Sequence, residues 1–367
     1  MWSTAIYFRN LPNEWPSAEL SNQFTQLIPS DATAVAAGAG FSMALKNDGS
    51  VWCMGQNSRG QLGDGTKSRK GLFTLVHVIT GATALAAGGY HSMVLTQQGR
   101  VWAAGWNVYG QLGEGATAKY RSRFVETMRT GAKAVALGEI HSIVMKQDGS
   151  VWVAGGNTDG QLGDGTKAHK NEFVEVISSG AVNVFAGSYH TMVLKQNGSV
   201  WATGSNKYGQ LGDGSVKDRI SYVQVVSGGA KSLAAGRRHS LMLKQDGSVW
   251  ATGNNEFGQL GDGRTTDFSK FHKVIPDGVN AVAVGALHSM VLKQDGNIWA
   301  TGSNQRGQLG ERMTNAQQGF VRLMPFRKGA GHDRVYMKSH CLNARYYIFA
   351  FRLPSFPCTC LSTCCHS

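Results

Sequence analysis

Cysteine is nearly missing from most of this chain. Of six cysteines in 367 residues, only Cys53 precedes residue 325. A body with one thiol has no disulfide framework, which fits a reducing compartment. Proline is scarce, at 7 residues, and charged residues make up only 16%. No stretch approaches the roughly 18 apolar residues that a membrane-spanning helix needs. The first residues, MWSTAIYFRNLPNEWP, lack a basic start followed by an unbroken apolar run, so they do not read as a secretory signal. These absences predict a cytoplasmic or nuclear protein. Catalytic signatures are missing as well. There is no Walker-type phosphate loop, no HExxH, no GxSxG and no carboxylate pair set apart from the rest of the pattern. The expectation is a chain that is not an enzyme and takes no cofactor or metal.

Glycine, by contrast, is abundant at 48 residues, and 42% of the chain is hydrophobic. Glycine without a Gly-X-Y period points to many tight turns between short strands. The formal charge of +13 is unevenly spread. Residues 325–367 carry six basic side chains and one acidic one, so the rest of the chain is only moderately basic.

One repeat dominates the sequence. Tryptophan recurs at Trp52, Trp102, Trp152, Trp201, Trp250 and Trp299, every 49 or 50 residues. A glycine precedes each at matching distance, from Gly38 to Gly285. Three residues after that glycine stands His91, His141, His190, His239 or His288, with Phe41 in the first copy. Each tryptophan is followed by G-x-N-x-x-G-Q-L-G, as in GSNKYGQLG at 204–212.

Each copy reads as a small antiparallel sheet. A short apolar run such as AVAAG leads into HSMVLKQDGSVWATG, two strand-like segments joined at Asp-Gly or Asn-Gly. Those dipeptides predict a two-residue type I′ hairpin. A fourth segment, such as YVQVV at 222–226, is rich in β-branched and aromatic residues. Four short strands per copy make a propeller blade. The sequence therefore divides into an eroded half-repeat at 1–37, six repeats at 38–324, and a divergent, basic, cysteine-rich tail at 325–367. Trp2 lies 50 residues before Trp52, and VYM and RYYIFAF in the tail are strand candidates. The two ends are expected to combine into a seventh blade that closes the ring and hides its edge strands.

The G-x-x-H-S, D-G-x-V-W and G-x-N-x-x-G-Q-L-G-D-G motifs resemble the regulator of chromosome condensation repeat over about residues 34–324. The resemblance implies an all-β, seven-bladed β-propeller and leaves function open. Members of that family include a nucleotide exchange factor for a nuclear small GTPase that also docks on nucleosomes. Others are propellers of ubiquitin ligases, GTPase regulators in cilia, plant photoreceptors and bacterial inhibitors. The copies here are evenly spaced, so no blade carries the long hairpin that the exchange factor uses against its GTPase.

Residues shared by all copies meet demands shared by all blades. The acids of QLGDG (Asp64, Glu114, Asp164, Asp213, Asp262, Glu311) come one per turn, too few for the six to eight oxygens of calcium, and read as turn formers. The histidines lack carboxylate or cysteine partners for a metal and are expected to hydrogen-bond to backbone. The tail's C-x-C-x₃-C-C spacing matches no zinc site.

A binding site must lie where the copies differ. The second residue of the pair after each asparagine gives Arg59, Tyr109, Tyr208, Phe257 and Arg306. The residue before each histidine gives Tyr90, Tyr189 and Arg238. Symmetry should bring both sets to one propeller surface, and aromatic and Arg side chains are typical interface anchors. A second variable loop carries Lys67, Arg69 and Lys70, then Lys119, Arg121 and Arg123, then Lys167, His169 and Lys170. These cations predict a basic rim, interrupted by Glu172, Asp218 and Asp267, that suits phosphate or an acidic protein. The leading expectation is an interaction scaffold for a protein partner. Its rivals are exchange on a small GTPase and docking on chromatin.

Overall fold

The computed structural model describes residues 7–9, 338–340, and 32–323 apart from 77, 78, 80, 117, 306, 307 and 310–314. Among the described residues, six four-stranded antiparallel sheets follow one another along the chain. In the first, Ala32–Ala37, Phe41–Lys46, Val51–Gly55 and Lys70–Val76 pair in chain order. Blades two to six repeat this over 82–128, 132–177, 181–226, 230–275 and 279–322. The first strand of each blade lies beside the first strand of the next. The result is an all-β propeller, and none of its described residues forms a helix long and apolar enough to cross a membrane.

Position in the blade decides burial. The second strand is covered on both faces by neighbouring blades, so His141–Met145 is buried throughout. The fourth strand, such as Lys170–Ile177, is outermost and keeps an exposed side. Side chains from two successive blades share each core. Trp152 of blade three, for instance, packs against the cluster of Met93, Leu95 and Val101 of blade two. The tryptophan is thus a seam residue, as its recurrence implied. Its Nε1 donates to Ser150 Oγ at 3.0 Å, and Lys146 lies 3.7 Å from its ring centroid.

The hairpin differs from the expected type I′ turn. Gly49 N donates to Lys46 O and Lys46 N donates to Ser50 O, each at 3.0 Å, which encloses three loop residues. Such a loop is a turn followed by a left-handed residue, here Gly49 at φ +79°. Asp48 contributes by a different route, since its carboxylate accepts the Ser50 N–H at 2.8 Å.

The blade count also differs from expectation: the described residues make six blades rather than seven. The predicted composite blade, with VYM and RYYIFAF, falls on residues outside those described. Only Tyr7–Arg9 and Lys338–His340 are defined there, and they pair with each other in parallel, Tyr7 opposite Lys338. Blade strands pair antiparallel because a short hairpin joins them, whereas these two come from opposite ends of the chain.

Candidate partner-binding face

The residues common to all copies are consumed in holding the ring together. In blade three, Asn157 Nδ2 donates to Asp164 Oδ1 at 3.0 Å and to the carbonyls of Thr166 and Ala168 at 3.0 and 3.1 Å. Its Oδ1 accepts Leu162 N–H at 3.0 Å. One buried amide therefore folds the whole G-Q-L-G-D-G loop. The loop then crosses to the next blade, where Asp164 bridges to Ser221 on the neighbouring fourth strand. Gly163 permits this because it has φ +71° and its Cα faces the Tyr222 ring, which an added methyl would meet at 2.5 Å.

The histidines form a second clasp, and their partner is not the expected backbone. His141 Nε2 lies 3.0 Å from Thr191 Oγ1 of the next blade, and that hydroxyl donates to Gln161 O at 2.7 Å. A hydroxyl has one proton, so it accepts from the histidine, which fixes the neutral Nε2–H tautomer. His91, His190 and His239 repeat the contact with Ser142, Ser240 and Ser289. Burial pushes His91, His141 and His239 down to about 3, and His190 and His288 to about 4. The glycine three residues earlier is required by close approach. A methyl on Gly138 would sit 2.1 Å from the His141 ring.

The QLGDG acids act inside their own loops. Burial opposes ionisation of Asp64, but hydrogen bonds from Thr66, Asn57 and Lys70 outweigh it and hold the carboxyl below its usual value. Lys70 pairs with Asp64 at 3.2 Å, Arg121 with Glu114 at 2.8 Å, and Lys170 with Asp164 at 3.2 Å. Three of the eight predicted rim cations are therefore already neutralised. For Asp64, Glu114, Asp164 and Asp213 a cation stands six or seven residues later in the sequence, whereas Asp262 and Glu311 have none there. Lys67 lies 3.4 Å from the Tyr120 ring centroid. Arg69, Lys119, Arg123 and Lys167 are exposed. Among the described residues no group of three or more His, Cys, Asp or Glu could hold a metal ion.

The variable residues do come together, across blade seams. Arg59 of blade one lies over Trp106 of blade two, 5.8 Å from its centroid. Trp106 meets Tyr90 at 6.0 Å and Tyr109 at 5.3 Å, both edge to face. Tyr109 in turn meets His169 of blade three at 5.1 Å. His169 is held by its own blade, since its Nδ1 accepts Asn157 N–H at 2.9 Å. In blades four and five the same positions give Tyr208 with Arg238 above it. Tyr189 and Phe257 are half-buried on their equivalent loops, and Arg306 lies outside the described residues.

Trp106 was missed by reasoning from the repeat, because it is not one of the recurring tryptophans. Its signal is its place between Gly105 and Asn107, where the other copies have Gln56, Gly156, Ser205, Asn254 and Ser303. In the next sector, burial and the neighbouring Asp218 raise the carboxyl of Asp159 above its ordinary value.

Repeats latched blade to blade, with their variable residues gathered on loops, define a β-propeller. The chain belongs to the RCC1-like domain family, whose profile matches residues 23–337. Among solved structures it is similar to human WBSCR16, with TM-score 0.76 and 21% identity over 87% of this chain and 89% of that one. It is also similar to yeast RCC1 (Prp20) bound to Kap60, with TM-score 0.73 and 19% identity over 81% and 76%. A second structure, Prp20p from Saccharomyces cerevisiae, a protein characterised for its binding to Gsp1p and histones, gives 0.70 and 19% over 81% and 78%. No curated protein matches by sequence.

Proposed function

We propose that this chain is an interaction scaffold of the regulator of chromosome condensation type, which binds a protein partner through its variable-loop face. The observation that carries this reading is the continuous row from Arg59 through Trp106, Tyr90 and Tyr109 to His169. Large aromatic and Arg side chains on a rigid frame are what interface hot spots are made of. The row spans three blades, so the latched ring pre-organises it and little ordering cost remains on binding. In this reading the chain's ends complete a seventh, composite blade, and the protein works in the cytoplasm or nucleus.

A second reading is regulation of a small GTPase by nucleotide exchange, or docking on chromatin. It is favoured by the similarity to Prp20p, characterised for binding Gsp1p and histones. Even repeat spacing argues against exchange, because copies that recur every 49 or 50 residues leave no room for a long inserted loop between them.

Affinity capture from a lysate, with and without EDTA and read by mass spectrometry, separates these readings. EDTA removes Mg²⁺ and loosens guanine nucleotide from GTPases. The scaffold reading expects proteins captured equally in both conditions. A single GTPase enriched only with EDTA would replace it with exchange, and histones released by moderate salt would replace it with chromatin docking.

A further inference from the structure

The Trp106 patch has a chemistry that narrows the partner, given the scaffold reading above. It is apolar at its centre: Trp106, Tyr90 and Tyr109 are half-buried, and neighbouring Val108 is 51% exposed. It is cationic around that centre. Arg59 covers Trp106, and exposed Lys119 supplies the carbonyl that accepts Asn107 N–H, next to Trp106. Exposed Lys167 stands two residues from His169, which touches Tyr109. Two acids of these loops, Asp64 and Glu114, are already engaged by Lys70 and Arg121. The adjoining sector is mixed in charge, with Asp218, Lys207 and Lys167 all near Asp159.

The rings are not laid out for nucleic-acid bases. Stacked bases need open parallel ring faces. Here successive rings meet at 87°, 79° and 72°, and a guanidinium already lies over the indole. Edges and slots between perpendicular rings suit one or two apolar side chains, and the surrounding cations suit carboxylates beside them.

We infer that the Trp106 patch takes an acidic linear peptide carrying an aromatic or large aliphatic anchor. The anchor packs against Trp106 and Tyr109, and flanking Asp or Glu side chains face Arg59, Lys119 and Lys167.

The test is to pan a displayed library of random 12-residue peptides on the full chain, its Trp106→Ala variant and its Tyr208→Ala variant. Enriched peptides are expected to be rich in Asp and Glu around an aromatic or large aliphatic residue. The best of them, made synthetically, should lose about tenfold or more in affinity on Trp106→Ala, as hot-spot truncations do. Binding should weaken with salt and be unaffected by Tyr208→Ala. The double variant Lys119→Glu, Lys167→Glu, at two exposed sites, gives the same loss and serves even if Trp106→Ala unfolds. No enrichment, neutral or basic consensus peptides, or equal enrichment on the Trp106 variant would overturn the inference. So would a 12-nucleotide oligouridine that binds the full chain and not the variant, which would assign the patch to nucleic acid. Lysate capture with the same variant keeps the two readings apart. Partners retained by Trp106→Ala leave the scaffold standing without this site, whereas no partner at all removes the scaffold itself.

Discussion

The guanidinium of Arg238, in blade five, lies over the ring of Tyr208, in blade four, with its central carbon 4.5 Å from the ring centroid. The contact crosses a seam between two residues 30 positions apart, and it is half-exposed. A cation over an aromatic ring at such a site contributes about 0.5–1 kcal/mol. Arg238→Ala should therefore lower stability by that amount, and Tyr208→Ala should cost little more once Arg238 is gone. A double-mutant cycle on urea unfolding measures the coupling. Strict additivity would show that the pair is incidental.

Stability should fall on acidification. The five buried histidines are neutral in the fold, with values pushed down to about 3 or 4, whereas in the unfolded chain they take up protons near 6.5. Their contribution is thus fully present above about pH 6.5 and is lost as pH falls towards 4, because the unfolded state binds more protons. Melting temperature should be flat from pH 7 to 8 and should drop steadily below 6.5. His91→Phe, which imitates Phe41 of the first copy, should flatten part of that slope.

Asn206 should tolerate no replacement. Its Nδ2 donates to Asp213 Oδ1 at 3.0 Å and to the carbonyls of Ser215 and Lys217, while its Oδ1 accepts Leu211 N–H at 3.0 Å. Asn206→Ala strands a buried donor and several acceptors, at a cost of about 2–3 kcal/mol. Asn206→Asp keeps the acceptor but sets a second carboxylate against Asp213, so it should be no better. Chemical denaturation of both variants checks this.

Charge reversals on the rim should split into two groups. Arg121→Glu removes the partner of Glu114 and places two carboxylates together, so its melting temperature should fall by several degrees. Lys170→Glu should behave likewise through Asp164. Lys119→Glu, at an exposed position, should leave the melting temperature unchanged. Thermal unfolding of the three proteins at low salt distinguishes them. Equal effects would mean that the ion pairs hold nothing in place.

The repeat made most of the blade legible from sequence, because period, turn dipeptides and tryptophan spacing all follow from one local unit. Less legible was whatever depends on the neighbouring blade. His141 was expected to bind backbone, yet it reaches Thr191, 50 residues away, and no local signal names that partner. Arg121 and Lys170 read as free rim charge although Glu114 and Asp164 stand seven and six residues before them, because the spacing alone does not say that the loop folds the ions together. The variable residues were placed on one surface by symmetry alone. Trp106, at its centre, escaped because a pattern built on what recurs passes over what occurs once. The ends of the chain lack the turn dipeptide and most of the motif that define a blade, so the repeat pointed to their coming together but not to the parallel pairing of Tyr7–Arg9 with Lys338–His340.

The histidine clasps all run the same way round the ring. Blades two to five each supply an imidazole and a glutamine carbonyl at one edge, and blades three to six the hydroxyl that meets them. Each of these four joints thus has a giving side and a receiving side of the same kind. Where Phe41 replaces the imidazole, Ser92 still donates to Gln61 O at 2.7 Å, so the fault stays within one joint. A chain assembled this way can exchange or duplicate whole blades while its joints continue to match, and its variable loops, though some touch across the seams as Arg238 and Tyr208 do, lie apart from the histidine clasps.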